Sequence, residues 1–269
     1  MKIILIGTGR MGFAQARIAR FFNDEILLAI DSNPGALKEF SDTFQIRCTS
    51  TFDDLPQLHA DLIWLTVNDD AIEHVAETIS GTLHPDTVIL HTSGALSSKI
   101  IKKHTNNPCG SFHPLAPCPL KQITDAECVS LYRGVMHAFE GDSKAHEIVV
   151  QLSERLNSPC IALPSDAKPL YHASAVIASN YPLILINMAT ELLVECGFSR
   201  DQALEATKRL CQQSLKVLDH AQPLDALTGP IKRNALETIQ THESVLKSYP
   251  QALAVYSAIK EAAFEMLKK

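Results

Sequence analysis

The chain has no C-x-x-C pair. Its seven cysteines (Cys48, Cys109, Cys118, Cys128, Cys160, Cys196 and Cys211) form an odd, widely spaced set. That pattern excludes a zinc ribbon and a thioredoxin-like dithiol, and it reads as reduced thiols of a cytoplasmic protein. Cys109, His113 and Cys118 lie near one another in sequence but lack the short ligand spacing of a structural zinc site, so no metal is expected. No lysine or arginine stripe is present. The 24 basic and 30 acidic residues are interspersed, with a formal net charge of −6. Neither nucleic acid nor an anionic membrane surface is an expected partner. There is no G-x-S-x-G elbow, which removes an α/β-hydrolase, and there is no internal repeat or low-complexity segment. The opening apolar run stops at Gly7, too early for a signal peptide. A later run, 173–189, is interrupted by Asn180, Pro182 and Asn187. It is shorter than the roughly 20 residues that span a bilayer, so a buried core helix is expected there.

What is present is ordinary for a soluble globular protein: 46% hydrophobic and 20% charged residues, which argues against disorder. Short apolar runs at 3–6, 26–30, 62–67, 88–91 and 135–139 read as strands with both faces buried. Between them, Met11, Ala14, Ile18, Phe21 and Phe22 fall on one side of a helix, and 34–40, 70–79 and 143–156 also read as helices. Strands alternating with helices of this length imply βαβ units and a mainly parallel, doubly wound sheet. Beyond Leu163-Pro164 the strand signals end. Helices are expected over 168–196, 200–220, 231–247 and 251–267, punctuated by Gly197, Pro223, Gly229-Pro230 and Pro250. The expected organisation is therefore an α/β domain over 1–164 and an all-α domain over 165–269.

Gly7-Thr8-Gly9-Arg10-Met11-Gly12 follows the first strand and opens the first helix, the setting in which G-x-G-x-x-G binds a dinucleotide. Gly7 permits the tight turn, Gly9 a close approach of backbone to pyrophosphate, and Gly12 the packing of helix on strand. The helix N-terminus offers unpaired N–H groups and partial positive charge. The second strand ends in Asp31, 24 residues after Gly7. A carboxylate there accepts hydrogen bonds from the adenosine ribose and repels a 2′-phosphate. The expected cofactor is thus NAD or NADP, with NAD favoured. Ser32 and Asn33 offer a phosphate contact if Asp31 turns away. Strand ends at Val67-Asn68 and at His91-Thr92-Ser93-Gly94 lie where the nicotinamide would sit, or are simply capped turns.

Hydride transfer to a carbonyl or imine also needs a proton donor or a polar group facing the developing charge. Candidates by residue type are His113, which precedes the stiff Pro114, and His172 with Asn180. The latter two lie roughly 80° apart on one broad side of a helix. Each has a plainer reading, as a loop or core residue whose polar atoms are satisfied internally. Arg233 could clamp a carboxylate or stand as a surface charge. Pro182 leaves a helix carbonyl near Ala178 without its donor.

The glycine loop with Met11, followed by a helical second domain, resembles the 6-phosphogluconate dehydrogenase-like superfamily. That superfamily includes β-hydroxyacid dehydrogenases, ketopantoate reductase, pyrroline-5-carboxylate reductase and prephenate dehydrogenase. The nearest resemblance is to bacterial NADP- or deazaflavin-dependent oxidoreductases that join a Rossmann-like domain to a C-terminal domain of unknown function. It is carried by His91-Thr92-Ser93-Gly94-Ala95-Leu96, Ser111-Phe112-His113-Pro114-Leu115, Tyr171-His172-Ala173 to Ser179-Asn180-Tyr181, and Leu227-Thr228-Gly229-Pro230 with Arg233. The resemblance implies an NAD(P)-dependent oxidoreductase acting on a small polar carbonyl, imine or hydroxy acid, and a homodimer formed largely through the helical domain. One departure stands out. Several relatives carry a catalytic lysine four residues before the asparagine; if Asn180 is that asparagine, Val176 takes the lysine's place. This leaves a second reading open, a dinucleotide-binding sensor or structural dimer without turnover.

Overall fold

The computed structural model describes residues 1–268. In chain order the elements are β1 (Lys2–Ile6), α1 (Arg10–Phe21), β2 (Glu25–Ile30), α2 (Pro34–Phe44), β3 (Cys48–Thr49), β4 (Leu62–Leu65), α3 (Asp69–Thr78), β5 (Val88–His91), α4 (Lys99–Lys102), β6 (Cys109–Pro114), α5 (Asp125–Tyr132), β7 (His137–Gly141), α6 (Ser143–Arg155), β8 (Cys160–Ala162), α7 (Lys168–Glu195), α8 (Arg200–Lys216), α9 (Pro223–Ala226), α10 (Gly229–Lys232), α11 (Leu236–Leu246) and α12 (Pro250–Leu267). The chain divides into two compact units, Met1–Ser179 and Asn180 onward.

The first unit is built on one eight-stranded sheet of order β3-β2-β1-β4-β5-β6-β7-β8. Every neighbouring pair is parallel except β6 and β7, which are antiparallel, with Phe112 opposite Phe139. Strand order reverses between β1 and β4, so the loops that follow these two strands diverge and leave a crevice. Alternation along each strand sends its side chains to two cores. Ile3, Leu5, Leu62, Trp64, Val88 and Leu90 meet the aromatic side chains of α1 and α2 on one face. Ile4, Ile6, Ile63, Leu65 and Ile89 meet α3 on the other. Covering both faces is what makes these strands continuous apolar runs in the sequence.

The expected doubly wound α/β unit followed by helices is present, and among the described residues no strand follows Ala162. Several details differ. The very short β3 and β8 were below the length at which apolar runs signal a strand. The 135–139 strand forms two residues later, as β7. The 231–247 helix is two helices, α10 and α11, because Asn234 takes φ 52° between them. The division into compact units falls inside α7, between Ser179 and Asn180, rather than at residue 164. That division lies within one turn of Ala178, whose carbonyl Pro182 cannot satisfy, although α7 continues through the proline.

In the second unit, Thr190 of α7 shares a 2.8 Å hydrogen bond with Thr207 of α8, and His242 of α11 meets the Tyr256 hydroxyl of α12 at 3.0 Å. Few side chains here are buried; Ala203, Ile239, Leu246 and Ala252 are among them. The 173–189 run was expected to be a buried core helix, and the structure corrects this. By length and composition α7 is apolar enough to cross a membrane, yet only 6% of its most apolar window is buried. Ile177, Leu183 and Ile184 are 60%, 68% and 55% exposed. Among the described residues that side of the helix is left uncovered.

Candidate functional site

The glycine loop is shaped by what its neighbours leave no room for. Gly7 has φ 103°, and a Cβ there would fall 2.7 Å from the Thr66 backbone of β4's end. A Cβ on Gly12 would collide with the Gly7 carbonyl oxygen. Gly9 is different: a Cβ would meet nothing within 4 Å. Gly9 is also the N-cap of α1 and gives no side-chain cap, so the first turn presents its N–H groups to open space. This is the cradle a pyrophosphate requires, and the residues present fit a dinucleotide.

The other residues of the loop look inward. Thr8 is fully buried, and both its N–H (2.6 Å) and its hydroxyl (2.8 Å) donate to Asp31 Oδ2. The Asn33 N–H donates to Oδ1 at 2.9 Å. Asp31 therefore ties the glycine loop to the end of β2, a role beyond the ribose contact expected of it. Ser32 beside it is exposed. Arg10 donates to the carbonyls of Cys118 and Pro119, the latter at 3.0 Å. Met11 is half-buried against Tyr132 and the α5 core.

Val67 and Asn68 follow β4 and lead into α3, whose Asp69 accepts from the Ser93 hydroxyl at 2.9 Å. That hydroxyl also accepts from the N–H groups of Ala95 and Leu96, fixing the turn after β5. Gly94 sits at the centre of this turn. A Cβ there would lie 2.5 Å from His172 Nδ1 and 3.0 Å from His113 Nε2. Two imidazoles from different elements thus converge on one point, with ring centroids 5.9 Å apart and planes at 85°. His172 Nδ1 has no hydrogen-bond partner and is buried.

Alternation on β6 explains how His113 comes to be there. Ser111 and His113 share one face of the strand, while Phe112 turns to the opposite core beside Trp64 and His137. The Tyr171 hydroxyl lies 2.8 Å from His113 Nδ1 and donates to the His113 carbonyl at 3.4 Å. Burial, then the Lys168 ammonium, then His172 lower the His113 pKa to about 4, so the ring is neutral at neutral pH. Burial raises the Tyr171 pKa to about 12 and keeps its proton on.

Sequence reasoning missed Lys168. It is 2% exposed, and its ammonium donates to the Ser93 carbonyl at 2.9 Å and to the Ser111 hydroxyl. Burial lowers its pKa to about 8, against the opposing pull of Glu140 and Asp69. Glu140 makes no ion pair with it. Its carboxylate instead accepts from the N–H and hydroxyl of Ser98 and from the hydroxyls of Ser97 and Ser165. The absence of a lysine at Val176 therefore does not leave the cluster without one, since a lysine enters four residues before His172. The available signal was a lone lysine at the first position of a helix on which Tyr171 and His172 follow one turn later. His91, fully buried, was expected only as part of a strand end. Its Nδ1 accepts from the Ser93 N–H at 3.2 Å, and burial and then Lys168 lower its pKa to about 3.

Of the expected site residues, the structure brings together Gly7, Gly9 and Gly12 with Asp31, and separately Ser93, His113 and His172. Asn180 opens the second unit and is exposed on α7, and Arg233 is exposed at the end of α10. No group of three metal-ligating side chains occurs among the described residues.

Residues 2–94 match the family described as NADP oxidoreductase, coenzyme F420-dependent, and residues 135–263 match a domain of unknown function, DUF2520. No curated protein matches the chain by sequence. Solved structures share its fold over nearly the full length. A Bacteroides fragilis protein assigned as an NADP oxidoreductase superposes with TM-score 0.83 at 19% identity, covering 98% of each chain. A Thermotoga maritima protein gives 0.72 at 21%, covering 99% of this chain and 100% of its own. Plasmodium falciparum pyrroline carboxylate reductase, solved with NADP bound, gives 0.65 at 16%, covering 98% of each chain. The chain is thus similar over residues 2–94 to an NADP oxidoreductase domain of the coenzyme F420-dependent kind, and over residues 135–263 to a DUF2520 domain.

Proposed function

We propose that the protein transfers hydride between a nicotinamide dinucleotide and a small polar substrate, a carbonyl, an imine or the corresponding hydroxy acid or amine. The single observation that carries this reading is the convergence of His113 Nε2 and His172 Nδ1 over Gly94. They meet on the sheet edge that also carries the glycine loop. The dinucleotide supplies the hydride chemistry. The chain's own residues bind and orient it through the first turn of α1, and they offer His113 and His172 as the polar side chains nearest the substrate. Lys168 removes the motive for the sensor reading, which rested on a missing lysine.

The carboxylate of Asp31 weights the choice toward NAD, whereas the matched family's description names NADP. Thermal-shift titration with NAD⁺, NADH, NADP⁺ and NADPH decides between them, because a ligand of the native state raises Tm by mass action. A shift larger with NAD(H) supports Asp31 as the reader. No shift with any of the four would sink the oxidoreductase reading. Asn180→Ala tests the third expected catalytic residue, with a smaller loss of kcat expected than for either histidine.

The exposed apolar side of α7 is the basis for proposing a homodimer, in which a second copy covers Ile177, Leu183 and Ile184. Sedimentation equilibrium checks it: a monomer at micromolar concentration would overturn the proposal. A dimer that dissociates on Leu183→Glu would support it. A dimer of this kind in the cytoplasm is the setting proposed for the protein.

A further inference from the structure

We propose that Glu140 is a positioning residue: its carboxylate clamps the turn after β5 and the entry of α7 to β7, and so sets the distance between the two imidazoles that meet over Gly94. The inference rests on the oxidoreductase reading and adds to it the residue that assembles the site without touching the substrate.

The connections of one side chain carry it. Glu140 lies opposite Ser111 in the antiparallel pairing of β6 with β7, so its side chain stands on the face of the sheet that also carries Ser111 and His113. It is 7% exposed. Its carboxylate accepts from the Ser98 N–H at 2.7 Å, the Ser98 hydroxyl at 2.9 Å, the Ser97 hydroxyl at 3.2 Å and the Ser165 hydroxyl at 2.7 Å. Ser97 and Ser98 end the turn that holds Gly94, and Ser98 is the N-cap of α4. Ser165 lies three residues before Lys168, where α7 begins. Glu140 therefore bonds both to the segment that carries Gly94 and to the entry of the helix that carries His172, while His113 stands on the neighbouring strand. These are the pieces whose meeting makes the site, and they are far apart in sequence.

The chemistry asks for a carboxylate. An ionised carboxylate only accepts, so it suits donors on every side, whereas an amide would turn its NH2 toward some of them. Burial alone would raise the Glu140 pKa, but the bonds from Ser98, Ser165 and Ser97 hold it below the ordinary carboxylate value. The same negative charge, with that of Asp69, favours the buried Lys168 ammonium. Lys168 is the second tie between α7 and the turn, through the Ser93 carbonyl and the Ser111 hydroxyl. The turn is thus pinned at both ends, at Ser93 by Lys168 and at Ser97 and Ser98 by Glu140. A buried charge contributes little to stability, since apolar side chains of similar volume commonly serve as well. What this one provides is direction, because a fully bonded polar network leaves the segments a single arrangement. Direction matters here because a misplacement of about 1 Å at a reacting centre costs about 100-fold in rate.

The test is NMR on the full-length protein, carbon-labelled at histidine and phenylalanine, for wild type, Glu140→Gln, Ser165→Ala and Ser165→Thr, with kcat and dinucleotide affinity measured alongside. In wild type the His113 and His172 rings, with centroids 5.9 Å apart, give a through-space contact. Phe112 and His137, at 4.7 Å, give a second one that reports the pairing of β6 with β7. Expected in Glu140→Gln is loss of the first contact and retention of the second. Ser165→Ala should weaken the first, and Ser165→Thr, which keeps the hydroxyl, should restore it. The kcat should fall about 100-fold in Glu140→Gln and about tenfold in Ser165→Ala, with dinucleotide affinity unchanged. An unchanged contact between His113 and His172 in folded Glu140→Gln overturns the proposal. So does a wild-type kcat in a variant whose rings have separated. If Glu140→Gln fails to fold, Ser165→Ala is judged on the same readouts, and an unchanged first contact there overturns the proposal. The ring contacts need neither cofactor nor turnover. Failure of the oxidoreductase reading appears separately, as absence of any thermal shift with the four dinucleotides.

Discussion

The glycine loop and the histidine–lysine cluster occupy the same edge of one sheet but are built differently. The loop works through backbone. Its specificity lies in side chains that are absent, and its geometry is set by steric exclusion at Gly7 and Gly12. The cluster works through side chains drawn from β5, β6 and α7, held by hydrogen bonds between Ser93, Ser111, Tyr171 and Lys168. The first is a contiguous device and the second an assembled one. Binding and chemistry should therefore be separable by mutation.

His113→Ala should have the largest effect, lowering kcat by about 100-fold or more, the usual contribution of a positioned acid or base. Dinucleotide affinity should stay near wild type. A matched loss of affinity would show that the cluster is part of the binding site, and the contrast with the loop would fail. Next in size are the two glycine variants, which split the loop itself. Gly12→Ala puts a methyl into the Gly7 carbonyl and should cost about 3 kcal/mol of stability, read by urea denaturation. Gly9→Ala has room for its methyl, so stability should change by less than about 0.5 kcal/mol. Dinucleotide affinity should still fall about tenfold, measured by calorimetry, because the methyl occupies the phosphate's approach. Equal destabilisation by both would mean that Gly9 is structural.

A third prediction sets the cluster against solvent. The pKa values of His113 and His137 are lowered to about 4, and that of His91 to about 3, burial being the first cause in each. A histidine whose native pKa lies below its unfolded value binds fewer protons when folded. Its stabilising contribution is complete above about pH 6.5 and is lost as pH falls toward 4. Denaturant midpoints should therefore drop between pH 6.5 and 5. A flat profile there would contradict the burial of these rings. Smallest should be Asp31→Asn, which removes charge at the end of β2 and should shift the NAD to NADP preference several-fold toward NADP. No change in the ratio would leave Asp31 only its bonds to Thr8 and Asn33.

The same distinction explains what could be read in the sequence. The loop was legible because strand, glycines, helix, strand and acid come in fixed order over 31 residues. The parallel sheet was legible because both faces of its strands are buried. His113 and His172 were picked out by residue type, but their meeting over Gly94 depends on β6 lying beside β5 and on α7 returning to both, which no local pattern records. Lys168 was passed over because a lysine at a helix start reads as a solvated charge, and only its burial makes it unusual. The 173–189 run was misjudged for the opposite reason: composition reports that a surface is apolar, without saying which chain covers it.

The outermost strands carry a further consequence. β3 has two residues and β8 three, so each outermost strand itself offers very few unpaired backbone groups. An open sheet of eight strands would otherwise be a template for another chain's backbone, and so a route to aggregation. Here the outermost strands are too short to template a long foreign strand, so brevity is the device that limits that route.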